Sequence, residues 1–420
     1  MPSSFDAQFD AIRTDPAMPL ASLSVLAVRG GRVAYEYASG QRWIDEVDSA
    51  RNMPVDADTL FRVASISKLV TSIGAMRLVE EGKLNLDADV SEVIGFPLRN
   101  PHFPDVPITL RMLMSHTSSL RDAAGYSWDA KTSLAEVFRR DERMWSKEHP
   151  PGGYFQYANL PWGVIGTMME RATGERFDRL MRRLVLDPLK IDGGFNPADF
   201  TPQQQRNIAT LYRKRAAGDD GNPWHPDGPW RVQTDDFVTQ PVTQRGDGYV
   251  IGTNGTLFGP QGSCRLNARG LARLMLMLMN EGELEGARIL SPAGVREMIR
   301  EQWRANTTGT NGNTGGEFVD KPTFAMNSWG LGVQRIVDLS LGEGRGDRIA
   351  EQGGFTPVGH YGDAYGLSSG MFFDPARKIG VIYLVGGVGR DPRTTPGAYG
   401  AQARFEERIT TLLYDVATRE

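Results

Sequence analysis

Ser65 and Lys68 lie three positions apart in "FRVASISKLVTS", at the start of a stretch with helical spacing. On an α-helix residues i and i+3 share one face, so the lysine amine is within reach of the serine hydroxyl. A lysine whose ammonium is destabilised by burial can take that hydroxyl's proton and turn the serine into a nucleophile. The helix start adds free N–H groups and a positive dipole end, both favourable to an oxyanion. Taken alone, the pair is equally readable as a helix-capping serine beside a solvated lysine, since S-x-x-K arises by chance on the order of once in a chain of this length.

Two further stretches carry chemistry. "GGYFQYANLPW" holds Tyr157 and Asn159, which an extended or turn conformation points the same way. A tyrosine near a lysine serves as a base or relays a proton, and Asn159 could hold the ammonium or a substrate carbonyl. "GGFTPVGHYGDAYG" holds His360, a hydrogen-bond donor or cation near neutral pH, and Gly362, which permits close approach of a substrate backbone. The other histidines show no metal-ligand spacing. The single cysteine, Cys264, excludes an internal disulfide framework and reads as a small core residue.

These groups need a scaffold. "LSVLAVRGGRVAYEYASG" alternates about a Gly30–Gly31 turn and predicts a hairpin over Leu23 to Tyr37. "SISKLVTSIGAMRLVEEG" predicts a buried helix opened by Ser65, with Gly82 as its stop. Helical patterns dominate from Val90 to Leu211, and strands return in "GLGVQRI", "GHYGDAYGLSSGMFFDP" and "KIGVIYLVGG" before a closing helix. The expected fold is therefore α/β (α+β): an antiparallel sheet flanked by helices, with an inserted helical unit. Residues 1–90 and 225–420 would form the discontinuous α/β unit and residues 91–224 the helical one, with the active site between them. Two long Gly-, Pro- and Asn-rich loops, 217–263 and 305–328, are expected to wall or cover a site.

With 47 basic and 51 acidic residues in 420, no run of five like charges and no interleaved basic and aromatic residues, nucleic acid is not an expected partner. No stretch approaches a membrane span. The N-terminal segment lacks the pattern of a signal peptide, which makes the cytoplasm the expected compartment.

In this order, S-x-x-K, Y-x-N and H-x-G resemble the serine hydrolases of the penicillin-binding protein and class C β-lactamase type. "LRMLMSHTSSL" is similar to that family's Leu-Leu-x-His-Thr-Ser-Gly segment, with Ser119 in place of glycine. The resemblance implies that Ser65 is acylated, with Lys68 and Tyr157 as the base system and no metal or organic cofactor. It implies an oxyanion held by the N–H groups of Ser65 and Asp363, and Asn159 on the substrate. His360 stands where β-lactamases of this type have the lysine of K-T-G, and Asp363 would bring an acid that repels substrate carboxylates. The expected activity is hydrolysis of a small ester, first as a carboxylesterase. Alternatives are a D-amino acid amidase or aminopeptidase, a D-alanyl-D-alanine carboxypeptidase or β-lactamase, an acyltransferase, and an inactive binding scaffold.

Overall fold

The computed structural model describes residues 4–215, 224–315 and 323–419, so parts of both long loops lie outside it. Its centre is a nine-stranded sheet whose neighbouring strands all run antiparallel. In chain order the strands are β1 (Ser22–Arg29), β2 (Arg32–Trp43), β3 (Met53–Pro54), β4 (Trp303–Arg304), β5 (Ser328–Trp329), β6 (Gln334–Arg335), β7 (Val358–Ala364), β8 (Leu367–Asp374) and β9 (Ile379–Val385). Across the sheet the order is β4-β5-β6-β7-β8-β9-β1-β2-β3. The predicted hairpin is β1–β2, and Gly30 and Gly31 both take positive φ, 57° and 74°, as its two-residue turn requires.

Alternation along the strands separates two cores. Leu23, Val25 and Ala27 of β1, with Val381, Tyr383 and Val385 of β9, pack against helices α1 (Ser4–Arg13) and α5 (Arg404–Thr418). Leu26 and Val28, with Ile382 and Leu384, face the other way, toward α2 (Ile66–Glu80) and α4 (Ala268–Met279). The Met-rich face of α4 belongs to this core, as does buried Cys264, whose thiol is pushed up to about 12 by burial.

Between α2 and residue 210 the chain is mostly short helices, the longest being α3 (Leu160–Thr173). The strand Leu211–Lys214 then pairs with Gly387–Val388, tying the end of that helical stretch back to the sheet side of the molecule.

Candidate active site

Val63 N–H bonds Cys264 O, the Ala64 and Ser65 carbonyls accept from Ser67 and Lys68, and α2 begins at Ile66. Ala64 is buried at φ 43°, a left-handed conformation that costs a non-glycine residue about 1–2 kcal/mol. Such strain persists only where packing over-determines the backbone, and here it sets Ser65 at the tip of the helix.

Lys68 is fully buried one turn on, and its Nζ lies 2.8 Å from Ser65 Oγ. The same amine contacts Asn159 Oδ1 at 2.8 Å and the Gln261 carbonyl at 3.1 Å. It also lies 4.8 Å from the centre of the Tyr157 ring. Asn159 is the N-cap of α3, so the Y-x-N segment and the S-x-x-K helix meet through this lysine.

Tyr157 is buried in an aromatic cluster. His116 stacks on it at 4.5 Å, Trp329 meets it edge-on at 5.8 Å, and His360 lies 6.1 Å away. The Ala158 N–H donates to His116 Nδ1, which places that ring's proton on Nε2. Burial, followed by the nearby Lys68, holds His116 well below the ordinary imidazole range. The same two causes lower His360 to about 3, so His360 is neutral at physiological pH. Its Nδ1–H donates to the Tyr361 carbonyl, which leaves Nε2 as a buried acceptor.

Strand β7 carries the third motif past Ser65. A Cβ on Gly362 would lie 2.5 Å from Val63 O and 3.1 Å from Ser65 N. The glycine thus lets the strand press against the backbone that presents Ser65; the close approach is made by the protein's own chain. Strand parity puts His360 and Gly362 on this face and Tyr361 and Asp363 on the other. The Asp363 carboxylate lies across the sheet, exposed, in a concavity shared with Trp224 and Glu406, where Arg213 favours its charged form. The repulsion of substrate carboxylates expected from this side chain therefore has no geometric basis.

The Asp363 backbone is a different matter. Tyr365 and Gly366, at φ 57° and 85°, form a two-residue turn, so Ala364 and Leu367 are its hydrogen-bonded pair. Asp363 and Ser368 are then a non-hydrogen-bonded pair, and the Asp363 N–H points away from β8 to the open edge beside Ser65.

Three contributors escaped sequence reasoning. Gln261 offers only its carbonyl, for which no side-chain pattern exists. Asp122 accepts from Asn159 N at 2.7 Å, Asn159 Nδ2 at 2.9 Å and Leu160 N at 2.9 Å, and its proximity to the "SHTSSL" segment was the one available signal. His116, inside that segment, was noted only as lacking metal spacing. Ser119 adopts φ 65°, the conformation that favours the glycine it replaces. The long loops do border the site: Gln261 reaches Lys68, while Asn311 O and Asn313 N pair with Phe155, two residues before Tyr157.

A family model described as Beta-lactamase matches residues 10–404. The chain belongs to the Beta-lactamase family. It is 30% identical over 222 residues to a lovastatin esterase of Penicillium rubens, covering 47% of this chain and 53% of that protein. It is 30% identical over 229 residues to Esterase EstB of Burkholderia gladioli, covering 50% and 55%. The match thus spans about half the length of these two relatives. Among solved structures, a D-amino acid amidase from Ochrobactrum anthropi SV3 superposes with TM-score 0.64 at 19% identity over 99% of both chains. An octameric penicillin-binding protein homologue from Pyrococcus abyssi gives 0.65 at 19% identity, covering 98% of this chain and 76% of that one. The family is one of serine hydrolases, with esterases and an amidase among these relatives, and the mixed α/β fold with its antiparallel sheet is that of the two solved structures. Among the described residues no helix is long and apolar enough to cross a membrane, and no group of three or more His, Cys, Asp or Glu could hold a metal.

Proposed function

We propose that the protein is an acyl-serine hydrolase that cleaves small uncharged esters through an acyl-Ser65 intermediate. The observation that carries this reading is Lys68 Nζ at 2.8 Å from Ser65 Oγ, within hydrogen-bond reach for proton transfer. Ser65 Oγ attacks the ester carbonyl carbon as its proton passes to the Lys68–Tyr157 pair. The N–H groups of Ser65 and Asp363 receive the oxyanion, and the proton leaves with the alcohol as the carbonyl re-forms. Water, deprotonated by the same pair, then attacks the acyl-Ser65 carbonyl carbon; the bond from that carbon to Ser65 Oγ breaks, the proton returns to Oγ and the acid is released.

The preference for uncharged substrates rests on His360. Where β-lactamases of this type have a lysine that holds a carboxylate, this chain presents a buried neutral imidazole. A substrate carboxylate there would lose water without gaining a counter-charge. The ester preference draws on the names of the two esterases.

The test is intact-protein mass spectrometry after treatment with a fluorophosphonate, followed by p-nitrophenyl esters and D- and L-aminoacyl p-nitroanilides, each in neutral and carboxylate-bearing forms. One adduct, absent in Ser65→Ala, and faster turnover of neutral esters are expected. Hydrolysis undiminished in Ser65→Ala would overturn the mechanism, faster cleavage of anilides would make the protein an amidase, and preference for the anionic member of each pair would remove the role given to His360.

A further inference from the structure

We infer that Asp122 is a positioning residue of the acylation centre: it fixes the Asn159 amide so that the oxygen faces Lys68, and through that contact it aims the lysine at Ser65. The inference rests on the acyl-serine reading above and adds a residue to it.

A primary amide has two nearly isosteric orientations, and its neighbours decide between them. An ionised carboxylate only accepts. With Asp122 Oδ2 at 2.9 Å, the group of Asn159 that faces it is Nδ2, and Oδ1 is turned to the opposite side. There it meets Lys68 Nζ at 2.8 Å. In the flipped amide an oxygen would face the carboxylate and an NH₂ would face the lysine, and both hydrogen bonds would be lost.

The consequence reaches the nucleophile through the valence of nitrogen. In the form that takes the serine proton, Lys68 is a neutral amine with two N–H bonds and one lone pair, and the oxygens within hydrogen-bond distance of Nζ include Ser65 Oγ, Asn159 Oδ1 and Gln261 O. Asn159 Oδ1 and Gln261 O carry no proton, so each must receive an N–H. The lone pair is left for Ser65 Oγ, the one partner of the three with a hydrogen to give. Turning Asn159 over removes one acceptor and frees the amine to rotate its lone pair off the serine.

Asp122 also accepts from the N–H groups of Asn159 and Leu160 and so caps α3. A cap stabilises the helix whichever side chain residue 159 carries. The positioning role exists only while that side chain is an amide, and this separates the two.

The experiment is a double-mutant cycle of Asp122→Asn and Asn159→Ala, reading kcat and KM on a neutral p-nitrophenyl ester, the rate of fluorophosphonate labelling, and the thermal midpoint. Each single variant is expected to lose on the order of 10²-fold in kcat and in labelling rate, the scale of a small misplacement of reacting groups, with KM changed only a few-fold. The double variant is expected to be no slower than the slower single by more than about threefold, because both act through one contact. The fall in thermal midpoint from Asp122→Asn is expected in both backgrounds, since the backbone cap is lost in both. Asp122→Asn within about threefold of wild type, or a double variant that loses the product of the two single losses, overturns the inference. Asp122→Glu, which keeps the charge and shifts it by one methylene, carries the same cycle if Asp122→Asn does not fold. Wild type unlabelled at Ser65 refutes the acyl-serine reading itself; wild type and Asp122→Asn labelled equally fast refutes only the role of Asp122.

Discussion

Gly362→Ala adds one methyl where β7 presses against the backbone of Val63–Ser65. Its Cβ would meet Ser369 Oγ at 2.4 Å, Val63 O at 2.5 Å and Ser65 N at 3.1 Å. The serine hydroxyl can rotate away, but the other two atoms are backbone, and Val63 is itself tied to Cys264. Reaching an ordinary carbon–oxygen contact requires β7 and the Val63–Ser65 segment to part by roughly 1 Å. Overpacking of this kind costs about 1–3 kcal/mol, and a displacement of that size between reacting groups is worth on the order of 10²-fold in rate. The separation also moves the Asp363 N–H away from the Ser65 N–H, so the oxyanion loses one donor. The expected outcome is a folded protein with a lowered thermal midpoint, kcat reduced on the order of 10²-fold or more, and KM for a neutral ester changed much less. Steady-state kinetics with burst-phase analysis would locate the loss in acylation. Gly362→Ala with wild-type kcat would show that β7 is not pressed against the nucleophile's backbone and would sink both the packing argument and the oxyanion assignment.

Lys68→Ala and Tyr157→Phe are each expected to lower kcat on the order of 10²-fold or more, and their double variant to lose less than the product; fully multiplicative losses would assign them to separate proton paths. His360 is held neutral with a lowered pKa of about 3, against about 6.5 in an unfolded chain. Above that unfolded value both states are neutral and nothing is lost; as pH falls toward 3 the unfolded chain gains a proton that the folded one refuses, so stability declines. Thermal midpoints of wild type and His360→Gln between pH 7 and 5 should converge as pH falls, and parallel curves would mean that His360 is not held neutral. Asp235 accepts from both Arg62 and Arg265 in a buried triad, with Asp235 and Arg265 side chains each 2% exposed. Asp235→Ala leaves two buried guanidinium groups without their counter-charge and is expected to destabilise the fold by about 3–5 kcal/mol, read by denaturant unfolding.

The sequence was legible where chemistry follows from residue type and short spacing. Ser65 and Lys68 share a helical face because of the helix period, and the two glycines at 30 and 31 tolerate the positive φ that a two-residue hairpin turn needs. Asp122 and Gln261 were not legible for a common reason. Their contributions depend on contacts to Asn159 and Lys68 across 37 and 193 positions, and Gln261 uses an atom that every residue carries. His116 escaped because its neutral ring is a packing surface for Tyr157, a role that aromatic stacking confers and spacing cannot announce.

Asp363 shows how one residue can carry two separate chemistries. A residue in a strand has two outputs at right angles: its side chain leaves one face of the sheet, while its N–H and C=O lie in the plane of the sheet. Parity along β7 assigns the His360 side chain and the side-chain position of Gly362, where a Cβ would point, to the Ser65 face and the Asp363 side chain to the other, whereas pairing register with β8 assigns the Asp363 N–H to the open edge. An argument from charge treats the residue as one object and brings the carboxylate along with the N–H. Separating the two leaves an N–H beside Ser65, the proposed oxyanion donor, and moves the negative charge across the sheet to Arg213. The proposed discrimination against anionic substrates then has no repelling group behind it. It rests on the missing cation at His360, whose burial keeps it neutral, and a site that lacks an attraction disfavours carboxylates more mildly than one that repels them.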